Sequence, residues 1–331
     1  MSLSLVSTRA PHRIGFFGGG TDLPEISADI GGAVLNMAIN KYVYVTVKKH
    51  SGFFHEKYRI QYSRTEVCDH VEQIENQSIR SVLVYFNIDT PLIINTFSDL
   101  PSASGMGSSS TLIVALIAAL NRLFDLHIPT LAIAETAFLI ERSIPGNYSG
   151  RQDMYAATFG GVNLFQFENH ISCKHLHALD HFRENILCNL RLYWTGIARS
   201  ASDILYQQIS ESTVHSESYV LLRDMAVQAY ELLLDPSDSM LLHKFANLLT
   251  ESTKLKYSLA SCIYPAEINS MMSSYFTPGL LASKLLGAGG GGFLMCLYNS
   301  PGSFPPPEVV DPKVICYIDI DGTGVTVMQE A

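Results

Sequence analysis

LPSASGMGSSSTL, residues 100–112, runs through Gly, Ser and Ala and passes without a break into the apolar LIVALIAALNRLF, residues 112–124. Glycine gives up more backbone freedom on folding than any other residue. Such a run is therefore either a linker or a loop shaped for close approach to its backbone. The setting favours the loop. PLIINTF, residues 91–97, reads as a strand before it, and residues 109–126 read as a buried helix after it. The first N–H groups of such a helix have no partner within the helix and lie at the positive end of its dipole. Gly105 and Gly107 leave room for a phosphate, and Ser108, Ser109, Ser110 and Thr111 add hydroxyls, so the segment suits an anion. The bland alternative is a capped helix with a flexible entry. No Gly-Lys-Ser/Thr follows, so the loop is not a Walker A motif.

Two further glycine clusters frame it. RAPHRIGFFGGGTDLP, residues 9–24, carries a strand-like piece from 13 to 17 into three glycines and then Thr21-Asp22. An Asp after such a turn can accept hydrogen bonds from sugar hydroxyls, or can cap its own backbone. GAGGGG, residues 287–292, satisfies the G-x-G-x-x-G string, but FLMCLY, residues 293–298, reads as a strand where a dinucleotide site needs a helix.

The remaining pattern mixes strands and helices. Residues 42–48, 58–62, 161–167, 190–194, 314–320 and 324–328 alternate or are β-branched and read as strands; 130–142, with Thr130 as N-cap, 217–234 and 239–261 read as helices. Pro-rich residues 301–307 read as a surface loop. This is an α/β (α+β) chain, which we divide at 1–189 and 190–331.

Composition excludes several classes. With 331 residues, 47% hydrophobic and 16% charged, the chain can build a large core and is not disordered. Acidic residues outnumber basic ones 31 to 22, a net charge of −9, which argues against nucleic acid or an anionic membrane as partner. The longest apolar run, residues 112–120, is too short to span a bilayer, and residues 1–13 lack an apolar stretch of signal-peptide length. Six cysteines form no CxxC pair. A reduced cytoplasmic protein is expected. His170, Cys173, His175, His177 and His181 are metal-capable types, but their spacing fits no zinc signature and reads as a surface hairpin.

Taken together, in this order, APHRIGFFGGGTD (residues 10–22), PSASGMGSSST (101–111) and LLGAGGGGF (285–293) resemble the three motifs of the GHMP kinase family. GGAVLNMAI (31–39) and RQDMYAATFGGVNLFQF (151–167) resemble its sugar-1-kinase branch. The resemblance implies a two-domain fold with the active site in the interdomain cleft. It implies ATP and Mg²⁺, and transfer of a phosphoryl group to the anomeric hydroxyl of a small-molecule sugar or sugar phosphate. A heptose 7-phosphate is the first expectation; L-fucose or another hexose is the alternative. A non-catalytic nucleotide- or sugar-binding protein on the same fold is the rival from another class.

By the same resemblance, Pro101, Ser102, Ala103, Ser104, Gly105, Met106, Gly107, Ser108, Ser109 and Ser110 form the ATP-phosphate cradle. Ser109 and Glu141 resemble the Mg²⁺ ligands; Asp153 resembles the general base and Arg13 the basic residue paired with it. Thr21 and Asp22 look like sugar contacts, with Gly19, Gly20, Arg151, Gly289 and Gly290 beside them. Galactokinases have an acidic residue and a histidine where this chain has Gly19 and Gly20, which counts against galactose. A substrate phosphate would require a further cation, with Arg80, Arg151, Lys284 and His12 as candidates.

Overall fold

The computed structural model describes residues 3–331 other than 169, 199–200, 213, 266–267, 269, 271–276, 307, 309 and 312–313. The chain begins with strand β1 (Leu5–Phe17), turns through helix α1 (Pro24–Ile30) and returns as β2 (Gly32–Lys49). Then come β3 (Tyr58–Gln61), β4 (Thr65–Cys68), α2 (Gln77–Tyr85) and β5 (Leu92–Ser98). The Gly/Ser loop leads into α3 (Ser108–Phe124), followed by α4 (Thr130–Ser143), α5 (Gln152–Phe159) and the hairpin β6 (Val162–Phe167)–β7 (Ile171–His175). The second half holds α6 (Leu179–Asn185), β8 (Leu190–Trp194), α7 (Ala201–Ser210), α8 (Ser216–Leu233), α9 (Leu241–Ser258), β9 (Leu280–Leu285), β10 (Phe293–Tyr298), β11 (Ile315–Cys316) and β12 (Thr326–Glu330).

Among the described residues there are two sheets. The larger runs β12-β1-β2-β5-β3-β4, with β6 also on β2 and β7 on β6; the smaller runs β11-β8-β10-β9. β2 changes partner along its length, pairing β6 from Gly32 to Met37 and β5 from Val43 to Lys49. Its two halves are buried differently. Val43, Val45 and Val47 point inward while Tyr44, Thr46 and Lys48 point away, the alternation of a half-buried strand. These valines meet α3, whose residues from Ile113 to Leu120 are all buried. A helix apolar on every side belongs in the middle of a fold.

The first half of β2 is buried on both faces because α8, from the second half of the chain, packs on it, with α9 beside α8 on the end of β1. Phe245 of α9 stacks edge-on against Phe16 and Phe17 at the end of β1, with centroids 5.8 and 5.1 Å apart. Met295 of β10 and Leu192 of β8 join the same core. One apolar core therefore ties the two sheets together and leaves a cleft beyond the end of β1.

Several local expectations are revised. Thr130 is the first helical residue of α4 rather than its cap; Pro129 precedes it and no side chain caps the helix. Of residues 314–320 only Ile315 and Cys316 pair as a strand, with an isolated bridge from Ile320 to Ile39. Asp153 lies within the first turn of α5. The Pro-rich segment opens with a 3₁₀ turn at Pro301–Ser303, and Pro307 lies outside the described residues. Cys173 and His175 lie on β7 of the β6–β7 hairpin.

Candidate active site

A cavity of about 370 Å³ opens where β1 ends, lined from one side by the Gly/Ser loop and the start of α3 and from the other by residues of α7, α9 and the 287–291 glycine turn. Gly107 is the N-cap of α3 with φ +77°, a left-handed conformation that favours glycine. It makes no side-chain cap, so the amides of Ser108, Ser109 and Ser110 at the helix mouth are not consumed by one. A Cβ on Gly107 would sit 2.9 Å from Asp153 Oδ2. The close packing of Asp153 on the loop thus requires glycine here.

Asp153 is held by Arg13 of β1. The Arg13 Nε donates to Asp153 Oδ1 at 2.7 Å and its terminal nitrogen lies 2.6 Å from the same oxygen. The other terminal nitrogen donates to Gly105 O at 2.7 Å. One guanidinium therefore fixes the carboxylate of α5 relative to the loop before α3. Arg13 is directed here by a bulge in β1 between Pro11 and Arg13, with its N–H donating to Met106 O at 3.4 Å. The Arg13 side chain is 6% exposed and that of Asp153 20%, so the ion pair is largely dry and the carboxylate keeps an open side.

Glu141 in the last turn of α4 is fully buried and accepts from Ser110 Oγ at 2.7 Å. Burial pushes its carboxyl above the ordinary carboxylate range, opposed by hydrogen bonds from the Ser109 and Ser110 hydroxyls. These oxygens form one group beside the helix mouth, hard donors of the kind a divalent cation takes.

Across the cavity Asp22 is buried and accepts from Gly20 N at 3.1 Å, Gln152 N at 3.0 Å and Gln152 Nε2 at 3.1 Å. Burial raises its pKa, the Gln152 backbone bond opposes this, and the Asp153 charge adds to the rise. Gly19, Gly20 and Gly289 also line the cavity, as do Ala103, Ser104, Gly105 and Gly107 through Ser110.

Other expected residues stand elsewhere. Pro101, Ser102 and Met106 do not line the cavity; Met106 is buried beneath it, its carbonyl taken by the Arg13 N–H. The Thr21 hydroxyl is spent on the backbone, donating to Gly18 O and Ala33 O and accepting from Ala33 N. Gly290 donates its N–H to Ile263 O at 2.8 Å and also lies outside the lining. Arg151 turns away, 3.3 Å from Glu135 and stacked on Phe138. Nor do the other cation candidates reach the cavity. Arg80 donates to Ile74 O, and Lys284 is buried with its Nζ on Phe16 O at 2.5 Å. His12 is buried between Met106 O and Ser98, which pushes its pKa down to about 4.

The cation that sequence reasoning missed is Lys256 of α9, which lines the cavity although it is 7% exposed. Its Nζ donates to Gly19 O and to Gln208 Oε1 of α7, both at 2.8 Å. A signal was present. Leu241, Phe245, Leu249, Ser252 and Lys256 follow at three- and four-residue steps, so the lysine continues the buried stripe of α9. Gln152, which fixes Asp22, was missed as well.

Three comparisons bear on this geometry. Residues 76–161, which include the loop, Glu141 and Asp153, match the profile of the GHMP kinases N terminal domain. The chain is 29% identical over 310 residues to D-glycero-alpha-D-manno-heptose 7-phosphate kinase of Campylobacter jejuni, covering 88% of this chain and 89% of that one. It is 25% identical over 340 residues to an L-fucokinase/L-fucose-1-P guanylyltransferase of Bacteroides fragilis, covering 90% of this chain and 35% of that protein. Among solved structures, a D-glycero-D-manno-heptose 1-phosphate kinase of Bacteroides thetaiotaomicron shares the fold with a TM-score of 0.77 at 23% identity, over 98% of this chain and 99% of the other.

Proposed function

We infer that the chain, which matches the GHMP kinases N terminal domain over residues 76–161, is a kinase of that family: an ATP-dependent sugar kinase acting on the anomeric hydroxyl of D-glycero-D-manno-heptose 7-phosphate. The reading rests on one observation above others: the Arg13–Asp153 pair pressed against Gly107 at the mouth of α3, inside a cavity built from both halves of the chain. The product is a heptose 1,7-bisphosphate, which carries the anomeric phosphate that nucleotide activation of a sugar uses.

In this reading the amides of Ser108–Ser110 bind the nucleotide phosphates at the positive end of α3. Asp153 takes the proton from the anomeric hydroxyl through its open side. Arg13 keeps that carboxylate in place, and offsets negative charge developing at the transferred group. Asp22, fixed by Gln152, orients a sugar hydroxyl. Glu141, Ser109 and Ser110 present the oxygen set that would hold Mg²⁺, whose chemistry when bound is to neutralise phosphate charge.

We also place the lobe division at 189/190, where the chain leaves the first sheet, with β12 returning to it. Cytoplasmic residence fits ATP dependence; no described helix is long and apolar enough to cross a membrane.

ADP release measured with a panel of sugars tests the reading. Turnover of heptose 7-phosphate is expected to exceed that of free heptose, galactose and L-fucose. The likeness to the Bacteroides fragilis protein favours L-fucose as the second reading. Turnover of L-fucose without that of any phosphorylated heptose would install it instead.

A further inference from the structure

Lys256 is a buried cation with no carboxylate within ion-pair distance among the described residues. Its two partners, Gly19 O and Gln208 Oε1, are neutral. An ammonium has three N–H donors, so one remains, and the side chain lines the cavity. Gln208 is 1% exposed, and its amide nitrogen has no hydrogen-bond partner. One turn back along α9, the buried hydroxyl of Thr253 also lacks a partner. Buried charges ordinarily sit against an opposite charge, and buried donors are ordinarily satisfied. Here a positive charge with only neutral partners stands at the cavity wall, and the Gln208 amide that holds it has a donor unspent.

The backbone opposite is fitted to them. Gly20 has φ +101°, and a Cβ there would come 2.9 Å from Lys256 Nζ and 3.2 Å from Gln208 Oε1. With no side chain at 19 or 20, the ammonium stays at the surface of the cavity. Arg13, the other cation in the lining, is already taken by Asp153 and Gly105 O. Asp22 acts on Lys256 only from beyond ion-pair distance, its oxygens held by Gly20 and Gln152; a direct counter-charge is missing, and a neutral sugar hydroxyl would not supply it.

We propose that Lys256, with Gln208 behind it, is the subsite for the phosphate group of the sugar substrate, so that the enzyme selects a sugar phosphate over the free sugar. This rests on the sugar-kinase reading above. The ester phosphate supplies the counter-charge to the ammonium and accepts its remaining N–H. The preference then comes from a pairing that the free enzyme leaves open.

The test compares kcat/KM for D-glycero-D-manno-heptose 7-phosphate and for free heptose in the wild type, Lys256→Met and Gln208→Glu. Lys256→Met removes the charge and keeps the length of the stem. Gln208→Glu gives the ammonium a partner of its own with almost no change of shape, and stands in if the first variant does not fold. In both, the ratio of the two kcat/KM values is expected to fall about 10- to 100-fold, the worth of a charged hydrogen bond, with KM for ATP nearly constant. If free heptose is not turned over, its inhibition constant serves as the reference. An unchanged ratio, with both sugars declining in parallel, would mean that Lys256 only holds the Gly19 carbonyl, and would overturn the proposal. A wild type that turns over no sugar phosphate fails the substrate reading itself, before any variant is measured.

Discussion

Asp153 and Lys256 are opposite cases of a charge at a cavity wall. Asp153 has its counter-ion built in; Lys256 does not. Asp153→Asn keeps the shape and removes the proton acceptor, so kcat should fall roughly 10²- to 10⁴-fold while ATP affinity holds. The same change leaves the buried Arg13 guanidinium without its charge partner, so a loss of about 3 kcal/mol in stability should accompany it. Normal turnover in a folded Asp153→Asn enzyme would remove the base assignment. For Lys256, burial lowers the pKa to about 8, with Asp22 pulling it up and the neighbouring Lys284 on the same side of the molecule repelled by it. The group is cationic below that value and neutral above it. The kcat/KM for a sugar phosphate should therefore decline as pH rises through about 8, whereas that for a free sugar should not. Asp153, Arg13, Glu141 and Asp22 could be read from motifs because each sits within a few residues of a glycine turn or a proline. Lys256 belongs to no such motif. The stripe of α9 marks it as buried, but what brings it to the site is the packing of α9 on Phe16 and Phe17.

Helix α3 and the loop before it are the element on which the site depends. Gly107→Ala would strain a left-handed residue and drive a methyl into the Asp153 carboxylate. Loss of at least about tenfold in kcat is expected, a misplacement effect, with ATP binding weakened as well. Retained kcat in this variant would show that the loop and Asp153 need not be in contact. The long elements were legible. The strand before the loop, α3, and the strand after the 287–292 glycines all lie close to where periodicity put them. The short ones were not. α1 and α5 are seven and eight residues long and stand beside glycines, so neither offers enough turns for a helical period. Residues 314–320 have the composition of a strand, yet β11 at the edge of the smaller sheet pairs only two of them. Pattern reports what a segment could pair with, and the number of available partners decides how much of it does.

For the molecule as a whole, acid should be destabilising through His12. In the unfolded chain it titrates near its ordinary value of 6.5; burial holds it near 4 in the fold. The unfolded state therefore binds the extra proton first, and stability is lost as pH falls from about 6.5 to about 4. The loss is at most about 3 kcal/mol. Urea unfolding at pH 7 and pH 5 should reveal it, and His12→Gln should flatten the difference. An equal pH dependence in that variant would assign it to other groups. The cleft was foreseen from the resemblance, but the core that holds its two walls together was not. No local pattern announces that Phe245 will meet Phe16 and Phe17, because the three are brought together only by tertiary packing.

β12 pairs antiparallel with β1, from Val6 opposite Glu330 to Arg9 opposite Thr326. Removing residues 326–331 should lower Tm and promote self-association, since it bares a strand edge; a monodisperse truncated protein of normal Tm would contradict this. The Arg122–Glu330 ion pair lost with it is half exposed and should matter little. The timing of synthesis carries a further consequence. About 150 residues separate the end of β7 from β12. At roughly 5–20 residues per second, the ribosome leaves the outer edge of β1 bare for about eight to thirty seconds after the rest of that sheet has emerged. A nascent chain in that interval is open to pairing with its neighbours on the same messenger. Its escape depends on how soon translation delivers the closing strand.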